Sequence, residues 1–340
     1  MLVDQGSVGR ETVDVRESAR HAEHVGYNTF FYAETKHDPF LPLVLAAEHT
    51  ERIRLGTGIA LAFARSPMTL AASANDLQQF SEGRLLLGLG SQIKPHITRR
   101  FSMPWSRPAA RMREFVLALH AIWDAWNHET KLDFRGEFYS HTLMTPFFAP
   151  DPNPYGPPMV MLAGVGERMS EVVGEVADGF LGHSLTTARY LDEVILPAVA
   201  RGRAKSGRSG DGFEASGQLI VITGRDEAEM AAVAETARSS IAFYLSTPAY
   251  RSMLDVFGWG DRQDELTRLS KQAEWDAMTK LVDDEMLDTF TIWAEPDAVA
   301  AKIVERFGGR YDRVGFTPDM GVPPELFDDI ARQLMATTSS

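Results

Sequence analysis

Eight short apolar runs, separated by longer stretches of helical spacing, constrain this chain more than any single motif in it. The runs are residues 1–5, 28–34, 52–61, 84–90, 158–164, 178–183, 215–223 and 311–318. After the first run, Val15, Ala19, Ala22 and Val25 recur at helical spacing, and Gly26 marks a stop. Asp38 and Pro39 have the chemistry of a helix start. Gly83 closes the helix that begins near Pro67, and Phe115, Leu119, Ile122 and Trp126 stripe one side of a long one. Strands alternating with helices require a parallel sheet, because each helix carries the chain back to the same edge. A count of eight predicts a closed (β/α)8 TIM barrel; a doubly wound open sheet is the other topology the pattern admits. Two excursions exceed a minimal barrel, about 135–157 after strand four and 226–288 after strand seven. With no internal repeat or clear linker, residues 1–340 are expected to form a single domain with insertions.

Charge and residue usage exclude several classes of function. Asp and Glu number 47 against 34 Lys and Arg, a net charge of −13, which argues against a nucleic-acid partner. There is no cysteine, so disulfides, thiolate nucleophiles and thiolate metal sites are excluded. No apolar run approaches the ~20 residues of a membrane span, and the N-terminus lacks a signal-peptide pattern. The expectation is a cytoplasmic protein with a small-molecule substrate, acting on neither nucleic acid nor membrane.

In a barrel of this kind the active site lies at the C-terminal ends of the strands. That rule selects Glu34, Thr35, Lys36 and His37 after strand two, and Thr57, Gly58, Ile59 and Arg65 after strand three. It selects Ser91, Gln92, Lys94 and His96 after strand four, Gly164, Gly166 and Arg168 after strand five, and His183 after strand six. Gly164 and Gly166 remove side chains where a helix begins, so its free N–H groups can face an anion. The plainer reading is a tight turn. Gly88 and Gly90, at the end of strand four, have the same two readings: close helix packing or room for a ligand. His21 and His24 are more simply the wet face of a helix than metal ligands, and no metal site is expected. No nucleophile elbow or phosphate-loop motif occurs, so difficult chemistry would have to come from an organic cofactor.

The segment RIRLGTGIALAFARSPMTLAASANDLQQFSEGRLLLGLGSQ resembles the luciferase-like monooxygenase superfamily. AGVGERMSEVVGEVADGF matches its fifth and sixth strands. MPWSRPAARMREFVLALHAIW and IAFYLSTPAYRSMLDVFGWGD are similar to the coenzyme F420-dependent oxidoreductases of actinobacteria. The resemblance implies a TIM barrel holding a tricyclic flavin-type ring at the strand C-termini. It implies a non-prolyl cis peptide at Gly58–Ile59 and a phosphate turn at Gly164, Val165 and Gly166. Thr57, Ser91, Gln92, Lys94 and His183 complete the expected cofactor-facing set, and Gly88 and Gly90 are then read as admitting a ligand. Many deazaflavin enzymes carry an Asp-His pair after strand two. Here Glu34 and Thr35 occupy those positions and histidine follows at His37, so Glu34 and His37 are the catalytic candidates. Ser91 stands where some relatives place a catalytic Glu.

The expected activity is hydride transfer between coenzyme F420 and a small organic substrate. The anionic tail is expected along the barrel mouth, near Arg168, Lys94 or Arg65. Phe243, Tyr244, Tyr250 and Trp259 of the second insertion are expected to cover the substrate. An FMN-dependent monooxygenase using separately supplied reduced flavin and oxygen is the alternative; a non-catalytic flavin-binding barrel is a third. Relatives pair through barrel helices, so a homodimer is expected.

Overall fold

The computed structural model describes residues 1–7, 15–208, 212–318 and 320–337. Positions 11–14, just before the helical spacing that starts at Val15, lie outside them. Eight parallel strands form a closed ring: β1 (Leu2–Ser7), β2 (Thr29–Tyr32), β3 (Arg54–Thr57), β4 (Leu85–Gly90), β5 (Met159–Ala163), β6 (Gly179–Gly182), β7 (Glu214–Ile222) and β8 (Arg313–Phe316). Each pairs with the next, and β8 returns to β1 through Leu2↔Arg313 and Val3↔Val314. Closure removes both sheet edges. The open doubly wound alternative is thereby excluded. Helices cover the outside, so β2 is buried at all four positions and β4 at all six.

The helices follow the apolar spacing. Val15–Val25 buries Val15, Ala19, Ala22 and Val25, and Gly26 adopts φ +104° at its end. Pro108–Asn127 buries Phe115, Trp123 and Trp126 in the core. The helix after β2 begins at Phe40, whose N–H donates to Asp38 Oδ1 at 2.8 Å. Among the strands that escaped the pattern, Thr291–Trp293 extends the sheet beside the end of β7. Three residues between two helices are too few to show alternation. The first excursion holds a two-stranded hairpin at its start, and the second is a run of helices from Glu227–Leu245 to Asp284–Phe290.

Alternation along the strands separates the barrel interior from the helix layer. Phe31, Leu86 and Met161, with Met159 and Leu181 against them, fill the middle of the barrel. Below them, at the N-terminal end, Arg313 and Asp4 are fully buried. The Arg313 guanidinium donates to Asp4 at 2.8 and 2.9 Å, to Glu214 at 2.6 Å and to Thr29 Oγ1 at 2.6 Å. One side chain thus ties β8 to β1, β2 and β7. Removing one partner of such a pair strands a charge in the interior, which costs about 3–5 kcal/mol. Asp4→Ala is expected to lower unfolding stability by about that amount in urea denaturation.

Candidate active site at the barrel mouth

The mouth is shaped by a bulge that follows β3. The Gly58–Ile59 peptide is cis, at the position the resemblance implies. Gly58 N–H donates to Tyr32 O at 3.0 Å, and Ile59 O accepts from Glu34 N–H at 3.2 Å. Thr57 Oγ1 donates to Gly88 O at 2.7 Å. A Cβ on Gly88 would stand 2.0 Å from the Thr57 carbonyl oxygen, and one on Gly90 would stand 1.9 Å from Ile59 Cδ1. The alternating glycines of β4 therefore make room for the bulged backbone and the Ile59 side chain. This corrects the expectation that they admit a ligand directly: the space they open is filled by the chain itself, and the bulge is what faces the mouth.

Glu34 is tied into this bulge. Its Oε2 accepts from Leu61 N–H at 2.8 Å and from the Arg65 guanidinium at 2.6 Å, and Arg65 also reaches Asp38 at 2.6 Å. The pair is well shielded, with the Glu34 side chain 7% exposed. Glu34 thus braces the loops after β2 and β3. His37 sits three residues further along the loop, partly buried.

After β4 the chain turns through Gln92, at φ +57°, whose Oε1 accepts from Ile93 N–H at 2.9 Å. Ser91 Oγ donates to Gln92 O at 3.1 Å, and Lys94 is exposed. Beyond β5, Gly166 is the N-terminal flank of the helix Glu167–Val176. A Cβ there would meet nothing within 4 Å, whereas one on Gly164 would touch Met169 and Ser170. The flank of the helix start is therefore open, and its first backbone N–H groups are of the kind that can meet an anion. The Val165 carbonyl accepts from Tyr190 OH at 2.8 Å, which holds the turn from behind.

His183 follows β6. Leu181, two residues earlier, packs in the barrel interior, so His183 shares its inward direction. Its Nδ1 accepts from Leu185 N–H at 3.2 Å, which leaves the proton of a neutral ring on Nε2. Tyr244 and Tyr250, from the second insertion, flank the ring at centroid distances of 4.8 and 4.7 Å. Burial among these rings holds the imidazole pKa down to about 4. The mouth also carries a polar atom that lacks a partner: Thr317 Oγ1, buried just beyond β8. A separate cavity of about 550 Å³ lies between β1, β8 and the outer helices, lined by Gln5, Gly6, His21, Pro318, Phe327 and Asp328 among others.

The expected site residues thus fall around one rim. Thr57, Gly58, Ile59, Ser91, Gln92, Lys94, the 164–166 turn and His183 lie at the C-terminal ends of β3, β4, β5 and β6. The sequence reading missed Arg65's double ion pair and the His183–Tyr244–Tyr250 cluster, which join segments far apart in the chain. Among the described residues no cluster of His, Asp and Glu has metal-site geometry, and no helix is long and apolar enough to cross a membrane.

Residues 3–313 match the family model for luciferase-like monooxygenases, and the chain belongs to that family. It is 54% identical over 309 residues to an uncharacterized protein of Mycobacterium tuberculosis, covering 91% of each chain. It is 30% identical over 185 residues to the F420-dependent glucose-6-phosphate dehydrogenase of Nocardia farcinica, covering 52% of this chain and 53% of that one. The coenzyme F420-dependent tetrahydromethanopterin reductase of Methanopyrus kandleri superimposes with a TM-score of 0.80 at 18% identity, over 99% of both chains. Those two relatives, as their names state, are F420-dependent enzymes.

Because the folded His183 stays neutral to about pH 4 while an unfolded imidazole titrates near 6.5, the unfolded chain takes the proton first as pH falls. His183 therefore contributes stability that is whole above pH 6.5 and is lost as pH falls towards 4. Between pH 7 and 5, His183→Gln is expected to show a smaller drop in urea midpoint than the wild type. An equal drop would mean that His183 does not carry this dependence.

Proposed function

We propose that this protein transfers a hydride between coenzyme F420 and a small, uncharged organic substrate. The observation that carries the reading is the open helix start at Gly166, after the strand next to the one that supports the β3 bulge. The buried Thr317 hydroxyl, without a partner on the same rim, fits a ligand at the mouth as well. When bound, the deazaflavin supplies the hydride-carrying ring.

The chain's own groups have separable tasks. The helix that begins at Glu167 offers backbone N–H groups to the coenzyme phosphate, and the Gly58–Ile59 bulge supports the ring. Glu34, held by Arg65 and Leu61 N–H, positions the loops rather than moving a proton. His37, on the same loop, is the proton-transfer candidate. His183 presents an N–H in an aromatic wall of Tyr244 and Tyr250, suited to a carbonyl or hydroxyl oxygen and unsuited to an anionic substrate group. The family's description as monooxygenases favours a second reading: FMN, reduced elsewhere, with oxygen as co-substrate. By analogy with relatives that pair through barrel helices, the protein is proposed to act as a homodimer.

Titrating the protein with F420 and, separately, FMN while following tryptophan fluorescence distinguishes the two. Tight F420 binding with weak FMN binding is expected; the reverse preference would overturn the hydride-transfer reading. Within it, His37→Ala is expected to lower kcat by about 100-fold or more, the usual range for a general acid or base, and to leave F420 affinity nearly unchanged. Full turnover in that variant would remove His37 from the proton chemistry.

A further inference from the structure

Tyr190 is fully buried in the helical segment after β6, and its hydroxyl meets oxygens from two other parts of the chain. It lies 2.8 Å from Val165 O, in the turn after β5, and 2.7 Å from Ser252 Oγ, in the second insertion. A carbonyl can only accept, so the single phenolic proton goes to Val165 and the Ser252 hydroxyl donates to Tyr190. Ser252 stands two residues beyond Tyr250, whose ring packs on His183 at 4.7 Å. His183 and Tyr190 are tied into one turn. Thr186 N–H donates to His183 O at 2.8 Å, and Tyr190 N–H donates to Thr187 Oγ1 at 3.1 Å. The insertion is therefore fastened to the segment after β6 at two points. From one of them a chain of hydrogen bonds runs on into the turn after β5.

Val165 O belongs to the same peptide group as Gly166 N–H. That peptide is trans, so its C=O and N–H point in opposite directions. Tyr190 holds the carbonyl from behind, which aims the N–H away from it, and that N–H meets no acceptor among the described residues. An anion accepting from it polarises the peptide. Val165 O then becomes a stronger acceptor for Tyr190, and the Tyr190 oxygen a stronger acceptor for Ser252. Resting on the coenzyme reading above, we propose that Tyr190 and Ser252 are positioning residues that couple a coenzyme phosphate in the turn to the Tyr244–Tyr250 wall around His183. The substrate side of the mouth tightens once the coenzyme is bound.

The test is hydrogen–deuterium exchange across residues 243–257, with and without saturating F420, alongside the coenzyme Kd from tryptophan fluorescence. In the wild type, F420 is expected to slow exchange there about threefold, the order of effect that a polarised chain of hydrogen bonds supplies. Ser252→Ala keeps the bond from Tyr190 to Val165, so its Kd is expected to stay within about twofold of the wild type while the slowing disappears. Ser252→Thr, which keeps the hydroxyl, is expected to restore the slowing. A purely structural Ser252 would raise exchange equally with and without F420 and leave their ratio untouched. A wild-type ratio in Ser252→Ala, or no slowing in the wild type although F420 binds, would overturn the coupling and leave F420 use standing. Failure of the wild type to bind F420 would overturn both.

Discussion

The contact on which the mouth of this barrel depends is the approach of the Thr57 carbonyl to Gly88. Parallel strands ordinarily stand about 4.8 Å apart with side chains between their neighbours. Here the oxygen occupies the place of a Cβ, at 2.0 Å from where one would be, and the Thr57 hydroxyl returns a hydrogen bond to the Gly88 carbonyl. Backbone cannot yield as a flexible side chain does, so the position tolerates glycine and little else. From that contact follow the bulge at Gly58–Ile59, the lodging of Ile59 over Gly90, and the bracing of the bulge by Glu34.

The two ends of the barrel manage charge in opposite ways. At the N-terminal end Arg313 is enclosed by Asp4, Glu214 and Thr29, a satisfied network that fastens four strands. At the C-terminal end Glu34 and Arg65 are paired, while Lys36, Lys94, Arg99 and Arg168 remain without carboxylates. A buried charge left alone is costly, whereas an exposed one is hydrated and available to a ligand. The base is thereby closed by charge pairing, whereas the rim keeps exposed cations.

The helical spacing of Val15, Ala19, Ala22 and Val25 was legible because a helix face repeats locally, as was the stripe through Phe115, Leu119, Ile122 and Trp126. The burial of whole strands was legible from continuous apolar runs such as Leu85–Leu87. Glu34 illustrates the limit. Its place at a strand end marked it as a site residue, but its partner Arg65 stands 31 positions away, and only packing of the two loops shows that the carboxylate is already engaged. The short strand Thr291–Trp293 was not legible, because it is defined by its pairing with β7 rather than by its own pattern.

Local chemistry in the sequence determined the order of strands and helices, the parallel sheet and which residues stand at the C-terminal rim, where barrels of this kind place their active sites. These depend on periodicity and on residues near one another in the chain. The tertiary structure alone decided why Gly88 and Gly90 are glycine, that Tyr244 and Tyr250 enclose His183, and that Tyr190 joins the turn after β5 to the second insertion. Each of those is a contact between segments whose separation along the chain carries no information about their distance in space.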